Sequence, residues 1–205
     1  MRIIKSFCSS VIYYLFMCSV LLIFGCVSSK RDFSGQNIIT REEWKSVSTT
    51  DSIEKHQIKR LTIHHGGVYF DPHKDVREYL RNLQEWSRKE KGWIDIPYHF
   101  LMDMDGLLYE GRPAYFPGDT NTDYDPHGHL LICIIGNYEE QTLRTVQYEN
   151  LIMWLDYSCR QYNIPADSIK GHKDYTETLC PGKNIYEYLK SGQLITDVKK
   201  VLNKP

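Results

Sequence analysis

The spacing of hydrophobic and polar positions changes several times along this chain, and each spacing points to an element. Leu61-Thr62-Ile63-His64-His65 is a short β-rich run ended by Gly66-Gly67. Across residues 74–90, Val76, Tyr79, Leu80, Leu83 and Trp86 recur at helical spacing on one face, leaving the Lys and Arg side chains to a solvated face. Tyr98 to Met102 alternates like a strand, Asp105-Gly106 is a hairpin turn signal, and Leu107-Leu108-Tyr109-Glu110 pairs back. Leu130 to Ile135 is continuously apolar, which predicts a strand buried on both faces. Residues 145–162 predict an amphipathic helix carrying Leu151, Met153, Trp154 and Leu155. A loop from Asn163 then leads to Gly171-His172, and 184–190 and 193–203 predict two short helices. Strands alternating with helices predict an α/β fold: a single domain with a central mixed β-sheet flanked by helices. The stretch 111–129 is long, irregular and rich in Gly, Pro, Asp and Asn, and a long loop in a small domain is often functional.

The first residues follow a different pattern. Residues 11–25 hold no charge, and Arg2 and Lys5 precede them. A basic start and a short apolar run predict a secretory signal peptide, because a membrane span needs about 20 residues. The run ends in Leu22-Ile23-Phe24-Gly25-Cys26, which resembles a bacterial lipobox, so Cys26 is a candidate lipidation site. The expected partition is 1–25 lipoprotein signal peptide, 26–36 tether and 37–205 folded domain. The expected location is exported and lipid-anchored to the bacterial envelope, on the periplasmic face of the outer membrane or the cell surface.

The 205 residues are 41% hydrophobic and 25% charged, which excludes a disordered chain and a multi-span membrane protein. The formal charge of −1 becomes −3 once Arg2 and Lys5 are removed, and it offers no electrostatic footprint for nucleic acid. Of the six cysteines, Cys8, Cys18 and Cys26 lie in the leader, leaving Cys133, Cys159 and Cys180. An odd number argues against a complete disulfide framework. Cys133 and Cys159 either pair or remain buried thiols.

The eight histidines raise the question of which can converge with a second ligand type. His64-His65 sits at the end of a strand, and His172 and Cys180 share the loop GHKDYTETLCPG. Imidazole and thiolate together suit zinc, and three protein ligands leave one position open, which is the arrangement of a catalytic site. Adjacent strand residues point to opposite faces, so only one of His64 and His65 is expected to bind the metal.

Several motifs in order resemble one family. Gly92-Trp93-Ile94-Asp95-Ile96-Pro97-Tyr98-His99-Phe100-Leu101, then Asp105-Gly106 and Tyr109-Glu110-Gly111-Arg112, resemble the zinc-dependent N-acetylmuramoyl-L-alanine amidases, which share a fold with the peptidoglycan recognition proteins and phage lysozyme-amidases. Thr62-Ile63-His64-His65 is similar to their first zinc-ligand strand. Gly171-His172-Lys173-Asp174 and Cys180-Pro181-Gly182 are similar to their closing ligand loop, and Ile39 to Trp44 to the opening segment of the recognition proteins. The likeness spans residues 38–190 and marks 37–205 as a zinc amidase domain. It implies Zn2+ held by His64, His172 and Cys180, with His65 a structural neighbour. It places Tyr98 at the position of a catalytic tyrosine, and Thr178 where catalytic recognition proteins often carry Thr. Cys133 falls where recycling amidases place a catalytic Glu and phage enzymes tolerate Cys. His65, Trp93 and Arg112 stand as candidate substrate contacts, with Trp93 also a candidate for core packing. Gly118-Asp119-Thr120-Asn121 replaces the Gly-Ala-His of many relatives, and His127 or His129 could compensate.

The implied reaction is hydrolysis of the amide between the lactyl group of N-acetylmuramic acid and L-alanine, in peptidoglycan or muropeptides. Zinc would activate a water and polarise the carbonyl, Tyr98 would donate to the oxyanion or orient the water, and Thr178 would add a weaker polar contact. The expected partners are a peptidoglycan substrate and, through Cys26, a membrane; a monomer is expected. The alternative is a catalytically silent peptidoglycan-binding module of the same fold. Such modules characteristically lack the Cys ligand.

Overall fold

The computed structural model describes residues 38–49 and 53–203. The leader, Cys26 and the tether lie outside those residues. Among the described residues, five strands and four α-helices follow in the order β1 (Arg60–His65), α1 (Val76–Glu90), β2 (Phe100–Met102), β3 (Leu108–Glu110), β4 (His129–Ile134), α2 (Thr145–Tyr162), β5 (Ile169–Gly171), α3 (Lys183–Lys190) and α4 (Gln193–Leu202). The strands form one sheet in the order β3-β2-β4-β1-β5, parallel throughout except for the β2–β3 hairpin. This is the mixed α/β sheet that the hydrophobic pattern predicts.

Alternation along the strands separates two apolar layers. Leu61, Ile63, Met102, Leu130, Ile132 and Ile134 face α2, α3 and α4, where Trp154, Leu155, Ile185 and Val198 are buried against them. Leu101, Cys133 and Ile135 face the other way, toward Leu80 of α1 and the fully buried Trp44. Each such buried side chain contributes about 1.5–3 kcal/mol of transfer free energy. Cys133 and Cys159 fall in different layers, on opposite faces of the sheet, and both are free thiols. The pairing considered from their positions in sequence does not occur.

Element boundaries have local causes. α1 begins at Val76 because the Asp75 carboxylate caps it, accepting from the Arg77 N–H at 2.8 Å. α2 ends where Asn163 takes the left-handed conformation at φ 52°. Gly106 turns the β2–β3 hairpin at φ +77°, and the Asp103 carboxylate accepts from Asp105 and Leu107 on either side, at 2.9 Å each. β5 is a strand where the pattern predicts only loop: its three residues pair in parallel with Leu61–Ile63, a run too short to show a period. The α1 stripe also divides. Leu80 enters the core, while Tyr79, Leu83 and Trp86 line a cleft, and Trp86 is 41% exposed.

The irregular segment 111–129 is fastened by three side chains. Arg112 is buried and donates to the carbonyls of Ile96 (2.9 Å), Pro117 (2.6 Å) and Asp95 (3.0 Å), and it forms an ion pair with Asp119. His99 Nδ1 accepts from the Leu131 N–H at 2.8 Å, so Nε2 carries the hydrogen and donates to the Phe116 carbonyl at 2.8 Å. Burial pushes His99 down to about 3 and keeps it neutral. His56 joins the carbonyl of Ala114 (3.1 Å) to the N–H of Gly128 (2.8 Å). Gly118 lies so close to the Leu131 side chain and the Pro97 carbonyl that a Cβ would overlap both.

Candidate metal centre

The site lies beyond the carboxyl ends of parallel strands, the usual place for a ligand crevice in an open α/β sheet. β1 ends in His64-His65, and the turn His172–Asp174 follows β5 directly. His64 pairs in register with Cys133 and shares its face of the sheet, whereas His65 is out of phase. Cys180 is brought back by the segment after that turn, where the Lys173 N–H donates to the Cys180 carbonyl at 3.0 Å.

Of the two adjacent histidines, His64 is the one that joins His172 and Cys180. One donor atom from each of the three lies within 4.8 Å of the others, the sole group of this kind among the described residues. His64 Nδ1 is 3.5 Å from Cys180 Sγ. Bond lengths of about 2.0–2.1 Å to nitrogen and 2.3 Å to sulfur put tetrahedral donors roughly 3.5 Å apart, so this pair fits a shared zinc ion. Burial, reinforced by His172 and other neighbouring histidines, holds His64 well below its ordinary range, and burial takes His172 down to about 4. Both imidazoles are therefore neutral at pH 7 and offer lone pairs. Burial pushes the Cys180 thiol up to about 12, opposed by the His65 N–H at 3.3 Å from its sulfur. A bound cation is the charge that offsets such burial and deprotonates a coordinating thiol.

The trio opens on a cleft of about 250 Å³. The Tyr98 ring lies 5.3 Å from the His64 ring and lines the cleft. Burial, with Cys133 and Cys180 nearby, raises its phenol well above the ordinary value, so it stays protonated and able to donate. The Thr178 hydroxyl accepts from the Cys180 N–H at 3.2 Å and also lines the cleft. His65 Nδ1 accepts from the Tyr138 N–H at 3.0 Å while the residue borders the cleft. Trp93 belongs to the cleft wall rather than the core, edge-on to Trp86 at 6.0 Å.

Arg112 departs from its expected place. It is 1% exposed, spends its donors on backbone carbonyls and Asp119, and does not line the cleft. Its work is to hold the loop. The two histidines considered as replacements for the missing Gly-Ala-His motif do not reach the donors either. His127 is exposed and pairs with Asp125 at 2.7 Å, and His129 Nδ1 lies 2.8 Å from Thr62 Oγ1. The loop instead delivers Thr120, Thr122 and Tyr124. Thr122 Oγ1 is 2.8 Å from His172 Nε2, and the Tyr124 hydroxyl is 3.3 Å from His64 Nε2. Reading the sequence missed Thr122 and Tyr124; the signals were the length of the loop that carries them and its departure from the relatives' pattern at Gly118-Asp119-Thr120-Asn121.

A sequence model of the family described as N-acetylmuramoyl-L-alanine amidase matches residues 54–183. The chain is 28% identical over 183 residues to peptidoglycan recognition protein 1 of Mus musculus, covering 87% of this chain and 97% of that protein. It is 30% identical over 160 residues to peptidoglycan-recognition protein SC2 of Drosophila melanogaster, covering 77% and 86%. Among solved structures, the ectodomain complex of peptidoglycan recognition proteins LCa and LCx with bound tracheal cytotoxin matches with a TM-score of 0.67 at 25% identity, covering 75% of this chain and 94% of that one.

Proposed function

The chain belongs to the N-acetylmuramoyl-L-alanine amidase family, which it shares with the peptidoglycan recognition proteins, and from that premise we propose that it hydrolyses the amide between N-acetylmuramic acid and L-alanine. The observation that carries this reading is the donor set: two neutral imidazoles and a thiol, converging within 4.8 Å at the floor of a cleft. A module that only binds has no need of three metal donors. Bound there, zinc would supply Lewis acidity to acidify a water and polarise the amide carbonyl.

The protein's own groups do the rest. Tyr98 keeps its proton and donates a hydrogen bond to the oxygen on which negative charge develops. Thr178 steadies the Cys180 backbone and offers its hydroxyl hydrogen to the cleft. Tyr79, Leu83, Trp86 and Trp93 form a largely apolar wall that excludes water and positions the substrate. That a related ectodomain complex binds tracheal cytotoxin supports a muropeptide as the occupant.

The purified protein should release peptide beginning with L-alanine from soluble muramyl-peptides, as read by mass spectrometry. A chelator should stop the release and added zinc restore it. Intact substrate in the presence of bound zinc and a folded protein would favour the silent binding module.

The proposed setting is the cell envelope, with Cys26 lipidated, on the evidence of residues 1–26. Cys26→Ala should move the protein from the membrane fraction to the soluble fraction. A C26A protein that stays membrane-bound would mean that the leader itself is the anchor.

A further inference from the structure

We propose that Thr122 and Tyr124 are positioning residues for the metal donors: their hydroxyls hold the outer nitrogens of His172 and His64 and so aim the inner nitrogens at the metal. This rests on the metal-dependent reading above. It concerns a loop in which the chain departs from the sequence pattern it otherwise resembles.

A neutral imidazole has one N–H donor and one lone-pair acceptor, and a partner on one nitrogen decides the role of the other. His64 presents Nδ1 toward Cys180 Sγ at 3.5 Å and Nε2 toward the Tyr124 hydroxyl at 3.3 Å. With Nδ1 given to a metal, Nε2 carries the hydrogen and the Tyr124 oxygen accepts it. Thr122 Oγ1 lies 2.8 Å from His172 Nε2, and with Nδ1 of His172 given to the metal it accepts the Nε2 hydrogen in the same way. The hydroxyl is itself set by Thr120, whose Oγ1 lies 2.8 Å from Thr122 Oγ1 and accepts from the Thr122 N–H at 3.2 Å. Thr120 Oγ1 stands 3.5 Å from the same His172 nitrogen, at the limit of a hydrogen bond.

The Tyr124 ring is fixed by its packing. It stacks on Tyr175 at 5.5 Å with 17° between planes, and meets His172 at 4.9 Å and His129 at 5.4 Å. His129 is tied in turn to Thr62 on β1. The sheet thus supports His129, which with Tyr175 supports Tyr124, which orients His64. His129 reaches the site through this stack and not by direct contact. Outer-shell partners of metal-bound histidines typically carry about 10–100-fold in metal affinity.

The test measures zinc affinity of the whole protein by competition with a chromophoric chelator. It also records the visible spectrum of the cobalt-loaded protein and the melting temperature of the metal-free protein. Thr122→Val removes only the hydroxyl at nearly constant shape, and Tyr124→Phe does the same independently at the other histidine. Each should weaken zinc binding by about 10-fold or more and shift the cobalt bands, with the metal-free melting temperature unchanged. Thr122→Ser should restore wild-type affinity within a factor of about 2–3. Both T122V and Y124F binding zinc like wild type would overturn the proposal, as would a serine variant as weak as the valine one. Wild-type protein that takes up no zinc would overturn the metal reading itself, a result distinct from either.

Discussion

A Cys180→Ala protein should bind zinc at least about 100-fold more weakly than wild type and release no peptide beginning with L-alanine. The lower bound follows from scale: losing an outer-shell partner already costs about 10–100-fold, and Cys180 is placed as a direct donor. The change removes the one donor of the trio that becomes anionic on binding a metal and leaves two neutral imidazoles. It also leaves the His65 N–H, which now lies 3.3 Å from the sulfur, without its acceptor, at a cost of about 1–3 kcal/mol if no water takes its place. Cys180→Ser separates the two effects, because it keeps a hydrogen-bond acceptor and loses the thiolate. The expected order of hydrolysis is wild type far above both variants, with C180S closer to wild type in melting temperature. Chelator-sensitive hydrolysis retained in C180A would reject this metal centre.

Arg112→Ala should destabilise the domain by about 3–5 kcal/mol, because it leaves several backbone carbonyls without their buried donor at about 1–3 kcal/mol each, while Asp119 keeps some access to water. The guanidinium serves three carbonyls and the Asp119 carboxylate at once, and all of them lose their donor together. For a domain of this size the melting temperature should fall on the order of 10 °C. Arg112→Lys should rescue little, because an ammonium cannot present the planar fork that reaches Ile96, Pro117 and Asp95. Pro117 and Asp119 lead directly into Thr120–Tyr124, so zinc affinity should weaken alongside stability. A direct substrate contact predicts the reverse: unchanged melting temperature and metal affinity, with KM raised. Thermal melts and zinc competition on R112A therefore decide between the two roles.

Much of this molecule can be read before any coordinates are known, and the readable part has a common physical basis. The β1, β4, α1 and α2 segments each carry enough apolar residues at period 2, period 3.6 or in a continuous run to declare themselves locally. β5 does not, because a three-residue strand with its central Lys170 exposed owes its existence to the neighbour it pairs with. The three donors were likewise legible as residue types that suit a metal. Alternation alone required that His64 and His65 part company. It could not say which of them faces α1, because that depends on how β1 registers against β4.

What remained hidden lies in contacts between distant parts of the chain made by side chains without periodicity. Trp86 lies on the apolar face predicted for its helix and Trp93 stands in the sequence open between core packing and substrate contact, and both line the cleft. Arg112 stands in the sequence as a candidate substrate contact, yet it is buried and donates to the backbone carbonyls of Asp95, Ile96 and Pro117. Tyr124 meets His64 across 60 residues, and Thr122 meets His172 across 50. By itself, then, the sequence determined the mixed α/β class, most of the elements and the kinds of atoms available for chemistry, because these rest on local pattern and residue type. Alternation left the choice between the two histidines open and the resemblance implied His64, while tertiary structure alone decided that Arg112 is structural and which hydroxyls stand behind the donors. Those choices depend on register and on loop closure, and neither leaves a period in the chain.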